Sequence, residues 1–411
     1  MSLFGSLYVG ASGLQTGQNA LNTTAHNLSN VDTKGYTRQQ TLLTDKNYNL
    51  LSVNPKAAAN QQTGLGVTYA DVRQVRDSFL DQKYRKESGR SAFYEVSYNT
   101  LGEVETLLGE LDGESFSESM NDLWEAVQEL AKQPASSVTQ GLLIQRASQF
   151  VEQAGNVYSA LSKYQDNLNN QIKGEVDQIN QYADRLFALN NEIIKIETGG
   201  IERANDLRDE RNQILDALGG YGNISYSEDW NGSVNVKYEG HTLVNATQVF
   251  KIGLDQNSDT GFYTPFWQGD AKKIPQENGT FRYDISNCKV FDLTREISTA
   301  CNTDIGSLKG MLVARGDHRA DYTDLQDADA YNETVSSSIL MNVQAEFDNL
   351  VHNIVTKFNE VLENAAEKEG SPYLRNEDGT IIQLFQRISS DTYDENGKLI
   401  REDVSAGKEN T

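Results

Sequence analysis

Across residues 147–196, apolar side chains return at alternating steps of four and three without losing register. The members are Ala147, Val151, Ala154, Tyr158, Leu161, Gln165, Leu168, Ile172, Glu175, Ile179, Tyr182, Leu186, Leu189, Ile193 and Ile196, and only Gln165 and Glu175 are plainly polar. Such spacing marks one face of a continuous helix. At 1.5 Å per residue, about 50 residues make a rod about 75 Å long. A rod of that length cannot bury its own seam, so the chain must supply a long partner. Residues 323–366 carry a matching pattern in Val343, Phe347, Leu350, Ile354, Phe358, Val361 and Ala365. Antiparallel pairing of the two would join distant segments and make the stretch between them an insertion.

That stretch, residues 221–303, is not helical in pattern. Asn231-Gly232 is a hairpin turn signal. Val234, Val236 and Tyr238 alternate after it, and Phe281, Tyr283 and Ile285 alternate again. Residues 77–111 read as a helix with Leu80, Tyr84, Tyr94, Leu101, Val104, Leu108 and Leu111 as core candidates. Ser115 with Glu118 forms a capping-box pattern. It opens a short helix with Phe116, Met120, Leu123, Val127 and Leu130, and Pro134 lies beyond its end. The expected fold is mainly α with an inserted β domain: a long antiparallel helical bundle, an N-terminal coiled-coil-type helix and a small antiparallel β domain. The expected divisions are an assembly segment over 1–76, a helical bundle over 77–220 and 304–366, the β domain over 221–303, and a tail of loops and short strands over 367–411.

Residues 1–31 contain no Asp, Glu, Lys or Arg, although 23% of the 411-residue chain is charged. Leu7, Ala11, Leu14, Gln18, Leu21, Ala25 and Leu28 again alternate four and three, with one polar break at Gln18. Gly5, Gly10, Gly13 and Gly17 each lower intrinsic helicity by up to about 1 kcal/mol. Alone, the helix is therefore expected to be weak or disordered, at most loosely packed, and to need partners on most of its faces. A charge on a face that packs against copies of itself recurs in every copy and meets its own kind. Amides and hydroxyls can instead hydrogen-bond across such a contact. Charge depletion and small residues thus point to repeated assembly through Leu7, Ala11, Leu14, Leu21, Ala25 and Leu28.

The rest of the composition mainly excludes. With 36 Lys+Arg against 59 Asp+Glu, the net charge is −23, which disfavours nucleic acid and anionic membrane as partners. No apolar run reaches the roughly 20 residues that span a bilayer. The N-terminus lacks the basic and apolar regions of a cleavable secretory signal. Cys288 and Cys301 allow one disulfide but no disulfide scaffold, and read rather as two free or incidental thiols. The histidines His26, His241, His318 and His352 have no metal-ligand spacing, and neither a phosphate loop nor a nucleophile elbow is present. His26 is read as a hydrogen-bonded interface residue. Asp206, Asp209 and Glu210 alternate with Arg203, Arg208 and Arg211 and read as a solvated, salt-bridged helix face. Asp394, Asn396 and Gly397 fall short of a calcium loop and read as a turn. No cofactor, metal or catalytic constellation is expected.

After the first helix comes Asn27-Leu28-Ser29-Asn30-Val31-Asp32-Thr33-Lys34-Gly35-Tyr36-Thr37-Arg38-Gln39. Asn30 and Asp32 favour a turn, Gly35 can take positive φ, and residues 37–43 read as extended. This run resembles the N-terminal signature of flagellar rod, hook and hook-associated proteins. Asn27, Asn30, Thr33, Gly35 and Tyr36 carry the likeness, and Arg38 and Gln39 resemble the hook-associated protein 1 (FlgK) family. Further blocks follow in that family's order: Gly64-Leu65-Gly66-Val67, the run from Val75-Arg76-Asp77 to Phe79-Leu80, Asn205-Asp206-Leu207-Arg208-Asp209-Glu210-Arg211-Asn212, Gly306-Ser307-Leu308-Lys309-Gly310-Met311-Leu312, and Phe358-Asn359 with Leu384-Phe385.

The resemblance implies a structural subunit of the bacterial flagellum, exported by the type III route and assembled outside the cell at the hook–filament junction. The implied partners are copies of itself, hook protein, a second junction protein and an export chaperone. Members of that family end in another uncharged heptad helix, whereas this chain stops at Thr411 in a polar tail; it reads as truncated before that helix or as lacking it, so the first helix is expected to lack its intramolecular partner. A rod or hook protein, a secreted enzyme on a flagellar-type N-terminus and an unrelated coiled-coil adaptor are the alternatives.

Overall fold

The computed structural model describes residues 3–46, 49–52, 61–63, 65–109, 115–199, 203–275, 281–326, 328–369, 381, 383–385, 392–393 and 399–400. Leu111 and the Asp394–Asn396–Gly397 turn lie outside these. The protein is mainly helical with small antiparallel sheets. It divides into two compact units, Met1–Gly89 with Gln178–Lys251, and Arg90–Asp177 with Ile252–Thr411.

In the first unit, helix α1 (Leu3–Ser29) is followed by strand β1 (Gln39–Asp45), the short pair β2 (Asn49–Ser52) and β3 (Gln61–Thr63), and strand β4 (Val67–Gln74). β1 and β4 pair antiparallel from Gln39 opposite Gln74 to Asp45 opposite Val67, with a bulge between Leu42 and Leu43. Helix α2 (Ser78–Leu107) begins here. The C-terminal part of the 61-residue helix α4 (Ser137–Glu197) and helix α5 (Asn205–Tyr221) complete the helical layer. Strands β5 (Ile224–Glu228), β6 (Val234–Tyr238) and β7 (His241–Val244) form an antiparallel sheet. The Asn231-Gly232 turn joins β5 to β6, with Gly232 at φ +85°. Val234, Val236 and Tyr238 all point inward, as their alternation requires. Asn190 of α4 fixes this sheet: its amide donates to the Val234 carbonyl at 2.9 Å and its oxygen accepts from the Val234 N–H at 3.1 Å.

The second unit holds the rest of α2, helix α3 (Phe116–Lys132) and the N-terminal part of α4. It also holds strands β8 (Ile252–Gln256) paired with β9 (Tyr263–Trp267) and β10 (Lys272–Pro275) paired with β11 (Phe281–Asp284). Helix α6 (Ser307–Arg315), a 3-10 turn at Tyr322–Leu325, the single turn α7 (Ala328–Ala330), the long helix α8 (Ile339–Glu369) and the short pair β12 (Thr392–Tyr393) and β13 (Leu399–Ile400) follow. Ser115 caps α3 by accepting the Glu118 N–H at 3.1 Å. Phe116 packs on Phe150 of α4 and Phe347 of α8 at ring distances of 5.4 and 4.8 Å. The two polar members of the α4 seam are both engaged. The Gln165 amide donates to the carbonyls of Arg315 and His318 and accepts from Gln344 of α8. The Ser307 hydroxyl lies 2.8 and 2.9 Å from the two Glu175 carboxyl oxygens. Burial lifts the Glu175 pKa to about 7 despite that hydroxyl.

Two sequence-based core assignments are corrected. On α2, Val104 is buried as expected, but Leu80, Tyr84, Tyr94 and Leu101 are exposed, and the rest of the inward face carries Arg85, Phe93 and Thr100. Glycines on the neighbouring helices select that face. A Cβ on Gly219 would sit 3.0 Å from that of Arg85, and one on Gly310 would sit 3.2 Å from the Phe93 carbonyl. Close backbone approach thus outweighs the apolar spacing. On α8, Phe347 is buried but Leu350 and Val361 are exposed, and Ala366 rather than Ala365 turns inward.

Candidate functional site

The α1 helix presents its faces in reverse. Residues advance 100° per step, so Leu7, Leu14, Leu21 and Leu28 share one side with Ala11 and Ala25, while Ser12, Thr16, Thr23 and Asn27 lie opposite. The polar side is the one that docks: Ser12 and Thr16 are only 8% and 5% exposed. The apolar side faces away, with Leu7, Leu14, Leu21 and Leu28 at 63%, 79%, 70% and 73% exposure. Ala11 and Ala25 are exposed beside them. All six residues that the sequence picks out for assembly therefore lie on one uncovered face.

Small hydroxyls and amides hold the helix to the β1–β4 ribbon. The Val67 N–H reaches the Ser12 hydroxyl at 3.3 Å, and the Thr41 and Thr23 hydroxyls meet at 3.0 Å. The approach is close enough that a Cβ on Gly66, itself at φ +94°, would fall 2.2 Å from the Ser12 oxygen.

The signature residues build the reversal between α1 and β1. Asn27 is its centre: its oxygen accepts from the Tyr36 hydroxyl at 2.7 Å and the Gln39 N–H at 2.8 Å, and its amide donates to the Gln39 carbonyl at 2.8 Å. Asn30 donates to the His26 carbonyl and accepts from the Thr33 hydroxyl. Thr33 accepts the Tyr36 N–H through its carbonyl, and Arg38 accepts the Val75 N–H. The His26 ring meets Tyr36 edge-on at 5.5 Å. Gly35 sits at φ +81° with Gln213 of α5 where a Cβ would go. Burial and the carboxylates of Asp209 and Asp206 raise the Tyr36 pKa.

Asp209 corrects the sequence reading of α5 as a solvated, salt-bridged face. It is 6% exposed and accepts from the Thr37 N–H at 3.2 Å and the Gln74 amide at 2.8 Å. The adjacent arginines pair elsewhere: Arg203 with Asp71 at 2.8 Å, and Arg208 with Glu197 and Glu228 at 2.7 Å each. Sequence reasoning also passed over Ser12, Thr16 and Gln74. The recurrence of Ser12, Thr16, Thr23 and Asn27 opposite the leucines was the available signal for the docked face.

Among the described residues, no group of His, Cys, Asp or Glu side chains is gathered as a metal ion requires. None of their helices is long and apolar enough to cross a membrane. Cys288 is buried, Cys301 is exposed, and both are free.

Comparison with known proteins adds family evidence. The model of the flagellar hook-associated protein FlgK helical domain matches residues 101–373, well over half of the chain. That of the flagella basal body rod protein matches residues 7–37. Flagellar hook-associated protein 1 of Bacillus subtilis is 26% identical over 375 residues, covering 90% of this chain and 69% of that protein. Its namesake in Salmonella typhimurium is 29% identical over 249 residues, covering 60% of this chain and 44% of the relative. The Escherichia coli protein of the same name is 27% identical with the same coverage. A solved structure, the flagellar hook junction protein FlgK from Burkholderia pseudomallei, aligns with a TM-score of 0.44 at 16% identity, covering 58% of this chain and 38% of that one.

Proposed function

Because the chain belongs to the flagellar hook-associated protein 1 (FlgK) family, we propose that it is a structural subunit of the junction between hook and filament, built by repeated association of its own copies and catalysing nothing. The observation that carries this reading is the outward apolar seam of α1 on a segment without Asp, Glu, Lys or Arg. Four leucines at 63% exposure or more are costly to leave in water. Covering each contributes about 1.5–3 kcal/mol before the entropic cost of association. One heterologous contact repeated by a helical operator yields an open tube, which suits a junction. In this reading residues 1–76 supply the assembly segment, and 77–220 with 304–366 supply lateral contacts. Residues 221–303 form the inserted domain, and 367–411 the tail. Hook protein and a second junction protein are the flanking partners. Export proceeds unfolded through the flagellar type III apparatus with a chaperone.

The test is deletion of the encoding gene in its host. Cells are expected to keep hooks, lose filaments and release unassembled filament subunits, with the gene in trans restoring filaments. Normal filaments and no released subunits would refute the reading.

A further inference from the structure

The α5 helix carries a buried carboxylate that receives only neutral donors at hydrogen-bond distance. Asp209 Oδ2 accepts the Thr37 N–H at 3.2 Å, and Oδ1 accepts the Gln74 side-chain amide at 2.8 Å. The Thr37 side chain also hydrogen-bonds it, Asp206 repels it, and Arg76 attracts it at longer range while donating to the Thr37 hydroxyl at 3.5 Å. Burying a carboxylate in such company is unfavourable, and burial pushes the Asp209 pKa above its ordinary value. A residue kept at that cost has a geometric reason, and the reason lies in what its two donors do.

Thr37 stands two residues before the start of β1, and Gln74 is the last residue of β4, paired with Gln39. The two oxygens of Asp209 thus hold both strands of the ribbon at their common root. Its neighbour one turn earlier reinforces one strand: Asn205 donates to the Val72 carbonyl at 2.9 Å and accepts from the Gln74 amide at 2.9 Å. The ribbon in turn holds α1 through Ser12, Thr23 and Asn27. A carboxylate accepts from both donors at once. An asparagine would turn an NH2 group against one of them, and an apolar residue would leave two buried donors unsatisfied.

We propose that Asp209 is a positioning residue for assembly: by clamping both strands at the root of the ribbon, it fixes the direction in which α1 offers its seam to a second copy of this chain. The inference rests on the assembly reading above and can fail separately from it.

The test compares the full chain with Asp209→Asn. In host cells lacking the gene, the variant is expected to be produced and exported but to restore filaments at least tenfold less often. The purified protein should show at least tenfold faster amide exchange at Thr37 and Gln39, with Val236 of β6 unchanged. A spin-label pair at Gln15→Cys and Lys237→Cys, in a Cys301→Ser background, reads the direction itself. Its distance distribution should broaden in Asp209→Asn while α1 keeps its helical circular dichroism. Glu210→Ala, which removes a neighbouring carboxylate paired with exposed Arg185, should leave all readouts at wild-type values. Wild-type filament number or an unchanged distance distribution in Asp209→Asn would overturn the proposal. Should that variant fail to fold, Gln74→Met, which releases one strand only, decides on the same two readouts. Loss of filaments on gene deletion with normal assembly of Asp209→Asn sinks this inference alone. Filaments surviving the deletion sink the assembly reading first.

Discussion

Helices α1 and α4 share one sequence rhythm and opposite fates. Along the middle of α4, Leu161, Ile172, Ile179, Leu189 and Ile193 are each 0% exposed, and only towards its ends are the seam members Val151 and Ile196 exposed. Along α1 the leucines at the equivalent steps point to water. The difference lies in what occupies the far side of each helix. Opposite its seam α4 carries charged and long polar side chains, which water solvates, so only the seam can turn inward. Opposite its seam α1 carries Ser, Thr and Asn, small enough to lie against a ribbon backbone and to exchange hydrogen bonds with it. A 4-3 pattern therefore states that a face requires cover, without stating whether the cover comes from the same molecule.

That contrast can be broken or sharpened by substitution. Leu161→Asp places a charge in the closed α4 seam and is expected to destabilise by more than about 4 kcal/mol or to abolish cooperative melting; a melting curve close to wild type would show that seam to be less closed than described. Glu175→Gln sharpens the same seam. The folded-state pKa of Glu175 is raised from 4.5 to about 7, so its penalty is absent below pH 4.5, grows between pH 4.5 and 7, and is constant above. The glutamine variant should match wild type at pH 4 and gain on the order of 3 kcal/mol at pH 8. Denaturant titrations at the two pH values check this, and an equal effect at both would contradict it.

Asn27→Ala removes three hydrogen bonds at the α1–β1 reversal. It is expected to lower protection of the Gln39 amide by about 1–3 kcal/mol, measured by native-state hydrogen exchange, with the α4 amides unaffected. Leu14→Asp should have the smallest effect on folding, within about 0.5 kcal/mol, yet eliminate filaments in complemented cells. A large loss of stability would mean that this seam is already covered within its own molecule.

The helical framework was legible in the sequence because long periodic patterns average over local exceptions. The α4 register, the Ser115 cap and the Asn231-Gly232 hairpin all come from spacings within a few residues. Apart from Val104, the inward face of α2 was not legible, because Gly219 and Gly310 decide it and both lie far along the chain. Asp209 was misread for a related reason. Its arginine neighbours dominate any local window, whereas the donors that bury it, Thr37 and Gln74, are 172 and 135 residues away. The seam of α1 was legible as apolar, but the ribbon that takes its opposite face follows from β4, whose pairing with β1 no local signal announces.

The hydroxyls and amides beneath α1 have a mechanical corollary. Each of these small contacts can be traded for one with water at almost no enthalpic loss, and no interlocked apolar side chain has to be dragged out. Pulled from its tip, α1 should unzip from its ribbon bond by bond at low force, where a leucine-packed helix would resist until it sheared as a block.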